Sequence, residues 1–181
     1  SDFLSEAEIK GLIGELLFLS EHLFPRMSTT KAISSWSGAE KTRKDFAFDQ
    51  EWFEVKTIDF GKDTVHISSI EQLDSPIEGS LVVFQLERMT EEYKGISLNK
   101  LVASVLKKVQ SVSDKDILLS KLKDYNYAYH PKYDEFVYEL RATDEYRVND
   151  TFPRISRTNI PAAIAKASFD LILAEILPYK K

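Results

Sequence analysis

The sequence predicts an α/β fold, with a mixed β-sheet flanked by helices and extended by a C-terminal α+β part. Three observations carry that expectation. Two-residue hydrophobic alternation marks strands at 44–57 and 64–68, and a nearly continuous apolar run at 81–86 suits a strand buried on both faces. Helix-period runs stand before and after them, at 5–24, 98–110 and 114–123. The chain of 181 residues can bury a sizeable core, and its apolar and charged fractions of 43% and 29% are ordinary for a globular protein.

Ser5-Glu-Ala-Glu8 is a capping-box sequence ahead of the first run, so a helix is expected to about Phe24, ended by Pro25. Ile9, Leu12, Ile13, Leu16 and Leu23 mark its apolar stripe. Glu15 stands in the row Leu12, Glu15, Leu19, within or beside that stripe, and a carboxylate there needs a partner. Gly11 and Gly14 flank it. Each costs about 1 kcal/mol relative to Ala in a helix, which suggests close packing against a neighbour. Residues 28–36 suit a second short helix, N-capped by Ser28 and ended by Gly38.

Residues 44–57 read as two short strands around a tight turn at Asp49-Gln50. Phe46 and Phe48 alternate with Asp45 and Ala47; Phe53 and Val55 alternate with Trp52, Glu54 and Lys56. The turn sets Phe48 opposite Glu51, Ala47 opposite Trp52, Phe46 opposite Phe53 and Asp45 opposite Glu54. Directly opposite residues share a face, with Cβ atoms about 5 Å apart. Asp45, Glu54 and Lys56 therefore crowd one face, while Phe46, Phe53 and Val55 take the other. Adjacent carboxylates repel, and a divalent cation between them with a lysine nearby relieves the repulsion.

Beyond the hairpin, 59–63 reads as a turn and 64–68 as the third strand of a meander. Ser69 can cap a single helical turn through Leu73, closed by Pro76. The runs at 98–110 and 114–123 suit a helical hairpin on the sheet, joined by Ser111-Val-Ser113. Tyr125, Tyr127, Tyr129, His130 and Tyr133 fit core-edge packing better than stacking on bases. Residues 135–140 and 145–148 suit a hairpin around Thr143-Asp144. A turn of helix is expected at 160–164, and 167–173 is read as a strand rather than an Ala-rich helix.

Asp45, with Glu54-Val-Lys56 on the next strand, resembles the active-site signature of the PD-(D/E)XK nucleases, the restriction-endonuclease-like fold. An acidic residue near an E-x-K is a weak signal alone. Spaced landmarks make the likeness more specific: Gly11-Leu-Ile-Gly-Glu-Leu-Leu-Phe-Leu19, Trp36-Ser-Gly38, Glu71-Gln-Leu-Asp74 and Phe152-Pro-Arg-Ile155. With them the chain is similar to a bacterial subfamily named only for its motif and often found in phage-defence gene clusters. One departure is plain: Lys44 stands where the motif has proline.

The resemblance implies one nuclease-like domain over 1–181, with a core at about 5–110 and an extension at about 111–181, cut from a longer protein as its C-terminal part. It implies Mg²⁺, replaceable by Mn²⁺, held by Asp45, Glu54 and the Val55 carbonyl, with Glu15 completing or adjusting the site. Lys56 would orient or deprotonate the attacking water, or stabilise charge on the phosphate; its carboxylate neighbours favour the second role. Gln72 would help position substrate or a metal water. The expected partner is DNA, cut by a homodimer or alongside other defence-system proteins.

Composition narrows the field further. Without cysteine there is no disulfide, thiolate zinc site or cysteine nucleophile. No apolar run approaches the roughly 20 residues of a membrane helix, and the acidic, amphipathic start is no signal peptide, so a cytoplasmic setting is expected. A net charge of −5 means that DNA contact must use local patches. Lys41, Arg43 and Lys44 precede the site; Lys107, Lys108, Lys132, Arg154 and Arg157 are further candidates, though each singly is better read as a solvated surface charge. His22, His66 and His130 lack zinc-ligand spacing, and His66 reads as a half-buried strand histidine rather than a phosphate contact. Two readings compete with the nuclease. One is a module that keeps the fold without cutting and serves a larger complex; the other is a structural domain with chance acidic pairing.

Overall fold

The structure is a computed structural model that describes residues 3–40 and 44–181. Lys41 and Arg43, two of the candidate DNA contacts, lie outside the described residues. Helix α1 (Glu6–Leu17) starts on a complete capping box, in which Glu8 N–H donates to the Ser5 hydroxyl and Ser5 N–H to the Glu8 carboxylate. Phe18–Leu23 continue it as a π-helix. Ser20 Oγ donates back to the Leu16 carbonyl at 2.8 Å there, and such back-bonding loosens the helical ladder. Phe18 then wedges between Phe46 and Phe53, with ring centroids 5.0 and 4.9 Å away. Helix α2 (Thr29–Ser35) follows, N-capped by the Ser28 hydroxyl.

Strands β1 (Phe46–Ala47) and β2 (Trp52–Asp59) form the expected hairpin with the expected register, Phe46 opposite Phe53 and Ala47 opposite Trp52. Strand β2 then pairs in parallel with β4 (Gly79–Met89), and β4 pairs antiparallel with β5 (Val137–Val148). The result is a mixed four-stranded sheet in the order β1-β2-β4-β5. One face packs on α1 through Phe53, Val55, Val82, Phe84 and Leu86. The other packs through Trp52, Ile58, Leu81 and Val83 against a small second sheet. Strand β4 is buried on both faces from Gly79 to Phe84, as its continuous apolar run requires.

Four expectations are corrected. Strand β3 (Thr64–Ile67) does not extend a meander on β2; it pairs antiparallel with β6 (Phe169–Ile172), Val65 opposite Leu171. One edge of β2 carries β1 and the other carries β4, so Val65 and Ile67 find their apolar partners in the second core. Residues 135–148 are not a hairpin but mostly one 12-residue strand. Thr143-Asp144 supplies no positive-φ residue for a tight hairpin turn, and the 11-residue β4 offers pairing along the whole length. A bulge takes up the irregularity: Ala142 pairs with Gln85 and Leu140 with Leu86, leaving Arg141 unopposed. Residues 160–164 hold one turn closed by Ile164 N–H on the Pro161 carbonyl, not a turn of helix, in a segment tied by side chains instead. Helices α3 (Leu98–Lys107) and α4 (Val112–Asp124, N-capped by Ser111) pack chiefly on α1 and α2 respectively, because α1 already covers β2 on that side of the sheet. Strand β6 itself matches the reading of 167–173, and a 3-10 helix (Leu173–Tyr179) follows it.

Candidate active site

The site forms where β1 stops short. Strand β1 covers β2 only at Trp52 and Phe53, so the edge of β2 from Glu54 onward is open on that side. Asp45 stands at this gap. Its Oδ2 accepts the Val55 N–H at 2.8 Å, and its own N–H donates to Glu54 Oε1 at 3.2 Å. The Asp45 carboxylate is thus tied to the Val55 backbone, and the Glu54 carboxylate to the Asp45 backbone. A strand residue turns its N–H and C=O to the same side, so the Val55 carbonyl faces the same open edge. Period two then sets Glu54 and Lys56 on one face of β2 while Phe53 and Val55 enter the core.

Lys56 Nζ donates to Gln72 Oε1 at 2.9 Å, and the same oxygen accepts Ser68 N–H at 2.8 Å. Gln72 ends a 3-10 turn (Ile70–Gln72) reached from β3. The sequence placed that turn correctly but could not show that it faces β2.

Glu15 enters from α1. Gly14 lets the helix approach: a Cβ there would stand 2.4 Å from Thr57 Cγ2. Gly11, by contrast, has nothing within 4 Å of where its Cβ would be, so only one of the two glycines marks close packing. The Glu15 carboxylate is buried and fully engaged. Trp36 Nε1 donates to it at 2.9 Å, and the Tyr125 hydroxyl reaches both oxygens at 2.6 Å. The Trp36 and Tyr125 rings stack, with centroids 5.8 Å apart. Nothing local in the sequence points to Tyr125 at the site; its one signal is membership of an aromatic run. Trp36 belongs to the landmark Trp36-Ser-Gly38, and its task is this bond.

The electrostatics are those of crowded, buried carboxylates. Burial raises Asp45 to about 6, opposed by the Val55 N–H and by Lys56 and Lys44. Burial, then the charge of Asp45, pushes Glu54 well above the usual carboxylate range. The same two causes, in the same order, raise Glu15, against its bonds from Trp36 and Tyr125. Three carboxylates thus resist simultaneous ionisation with one lysine among them.

Glu15, Asp45, Glu54, Val55, Lys56 and Gln72 all line one cleft of about 460 Å³, with Tyr125 in its wall. A hollow of about 520 Å³ under the hairpin tip, lined by Met27, Lys31, Phe48 and Glu51, has no such cluster of buried acids. Among the described residues no three His, Cys, Asp or Glu side chains form a ready-made ligand group. Asp45 and Glu54 beside a strand carbonyl nevertheless make a donor set that suits Mg²⁺, which takes one or two carboxylates and keeps several waters. A cation there would also offset the burial that raises both acids and the Asp45 charge that raises Glu54 further.

Several candidate DNA contacts are engaged inside the protein. Lys44 is half-buried, with Nζ on the carbonyls of Glu71 and Asp74. Arg154 donates to the Leu73 carbonyl, and Arg157 to Glu71 and to the carbonyls of Ile164 and Ala165. Lys108 pairs with Glu21 at 3.5 Å, Lys132 lies over the Phe3 ring, and Lys107 stays exposed. His66 is exposed rather than half-buried, because its position on β3 turns away from the second core, and it pairs with Asp170 at 2.6 Å. Among the described residues no helix is long and apolar enough to cross a membrane.

A family model described as "Putative PD-(D/E)XK family member, (DUF4420)" matches residues 1–174. No curated protein matches the chain. No solved structure matches it either.

Proposed function

The chain belongs to this PD-(D/E)XK family, and on that premise we propose that it is a Mg²⁺-dependent endonuclease hydrolysing phosphodiester bonds in DNA. The observation that carries the reading is the set Asp45, Glu54 and Lys56, gathered in one cleft at the open edge of β2. Asp45, Glu54 and the Val55 carbonyl would hold the metal, with Mn²⁺ as a substitute, and Glu15 would adjust their charge from behind. A bound divalent cation supplies Lewis acidity toward the scissile phosphate and a lowered pKa for its water. Lys56 then meets the charge that develops on the phosphate oxygens, and Gln72 keeps its ammonium aimed. Hydrolysis adds a water oxygen to phosphorus and releases one ester oxygen.

The reading extends to restriction of phage DNA in the bacterial cytoplasm, as a homodimer or with other defence proteins. That part rests on the likeness of the spaced landmarks to the defence-associated subfamily. A second reading, a fold-retaining module that does not cut, draws on the net charge of −5 and on carboxylates already engaged by protein donors.

Calorimetric titration of Mg²⁺ or Mn²⁺ into wild type and the Asp45→Ala/Glu54→Ala double variant, followed by plasmid DNA, tests the assignment. Metal binding lost in the variant, with nicking or linearisation by wild type alone, is the expected result. Metal binding without cleavage supports the second reading, and no metal binding removes the metal site altogether.

A further inference from the structure

We propose that Lys44 and Arg154 are positioning residues: they hold the turn that carries Gln72, and through Gln72 they hold Lys56. The inference rests on the reading of Lys56 as the cation that faces the phosphate. A three-residue helix leaves its last carbonyls without helical partners. Here the Glu71 carbonyl inside the turn, and those of Leu73 and Asp74 just past it, are met by cations, which suit a helix C-terminus. Lys44 Nζ donates to the Glu71 carbonyl and, at 2.7 Å, to that of Asp74; Arg154 Nη1 donates to that of Leu73. Arg157 adds its N–H to the Asp74 carboxylate at 3.1 Å and its guanidinium to Glu71 Oε1 at 2.9 Å. Two segments far from the turn in sequence thus converge on residues 71–74.

The cost of this arrangement points to its purpose. Lys44 lays its ammonium over the Trp52 ring, 4.9 Å from the centroid, and buries much of its stem. A desolvated ammonium is tolerated only where its donors are used, and among the described residues its recipients are main-chain carbonyls in and just past this turn. Of the turn's side chains, Gln72 alone lines the acidic cleft; Glu71 faces Arg157. Lys56 has a long flexible stem, and Gln72 Oε1 is its one hydrogen-bond partner among the described residues. A turn free to tilt would release that partner. The proline that the motif has before its aspartate could make none of the Lys44 bonds. The departure at Lys44 is therefore part of how this chain builds its site.

The test uses the whole chain as wild type, Lys44→Met, Arg154→Met and Arg154→Lys, each with and without Gln72→Leu. Two readouts are taken: backbone amide exchange at Ser68 and Val55 by NMR, and kcat and KM for Mg²⁺-dependent plasmid cleavage. The methionine variants should speed Ser68 exchange about tenfold or more while leaving Val55 unchanged. They should lower kcat about 10–100-fold at unchanged KM, with Arg154→Lys restoring most of it. On the Gln72→Leu background the further loss should shrink to within about twofold, since both changes cut one chain of contacts. Unchanged Ser68 protection, equal loosening at Val55, or losses that multiply with Gln72→Leu each overturn the proposal. Should a methionine variant not fold, Arg154→Lys decides by the same readouts, through intermediate Ser68 exchange. A wild type that cuts nothing defeats the nuclease reading alone, because the exchange experiment still decides the positioning.

Discussion

The two walls of the cleft are built by different means. On the hairpin wall, Asp45 and Glu54 rest on backbone N–H groups of residues 9 and 10 positions away in sequence, within one pair of strands. On the helix wall, Glu15 rests on side-chain donors from Trp36 and Tyr125, 21 and 110 positions away. Backbone pairing fixes a carboxylate through local register and survives most side-chain changes. Side-chain donors fix it only if distant helix ends converge, here the C-caps of α2 and α4 on the Glu15 carboxylate of α1. The hairpin wall should accordingly govern chemistry, and the helix wall should govern stability and the charge state of the acids.

The largest effect expected is on the hairpin wall. Asp45→Ala or Lys56→Ala should abolish metal-dependent DNA cleavage, a fall of at least about 10³-fold, with the circular-dichroism spectrum unchanged. A variant that still cuts at the wild-type rate would remove the residue from the site.

The helix wall should show its hand in stability. Tyr125→Phe leaves the buried Glu15 with Trp36 as its one remaining side-chain donor among the described residues and should cost about 1–3 kcal/mol in urea unfolding. An unchanged midpoint would mean that Tyr125 does not support Glu15 in solution.

A comparable effect comes from spacing between the walls. Gly14→Ala sets a methyl against Thr57 on β2 and should destabilise by about 1–3 kcal/mol, whereas Gly11→Ala meets open space and should stabilise by up to about 1 kcal/mol. Thermal melts that rank the two variants the other way would contradict this docking of α1 on the sheet.

The last effect is the pH dependence. Asp45 has an ordinary pKa of 3.8 and one of about 6 in the fold. Between those values the folded state binds more protons than the unfolded state. The stabilising contribution is whole below about 3.8 and is lost as pH rises through about 6. Glu54 and Glu15, raised by burial and by the charge of Asp45, act with the same sign. In chelator-treated buffer, stability should therefore fall from pH 4 to pH 7, and Asp45→Asn should flatten the slope. Asparagine can still accept the Val55 N–H, so the flattening would report the lost charge. A variant slope equal to that of wild type would deny Asp45 its raised pKa.

Local chemistry in the sequence determined the capping box at Ser5, the Ser28 cap, the turn at Asp49-Gln50 and the register that sets Phe46 against Phe53. These depend on side-chain period and on contacts a few residues apart, so they are legible one segment at a time. The gathering of Asp45, Glu54 and Lys56 on one edge follows from that register. Tertiary structure decided what distant segments do: that β3 joins β6, that β5 runs unbroken along β4, and that Tyr125 reaches Glu15. It also turned Lys44 and Arg154, which read as surface charges, inward onto the carbonyls around Gln72. The physical reason is that a strand edge, a main-chain carbonyl or a buried carboxylate accepts many partners, and the choice among them is made by which surfaces the core brings into contact.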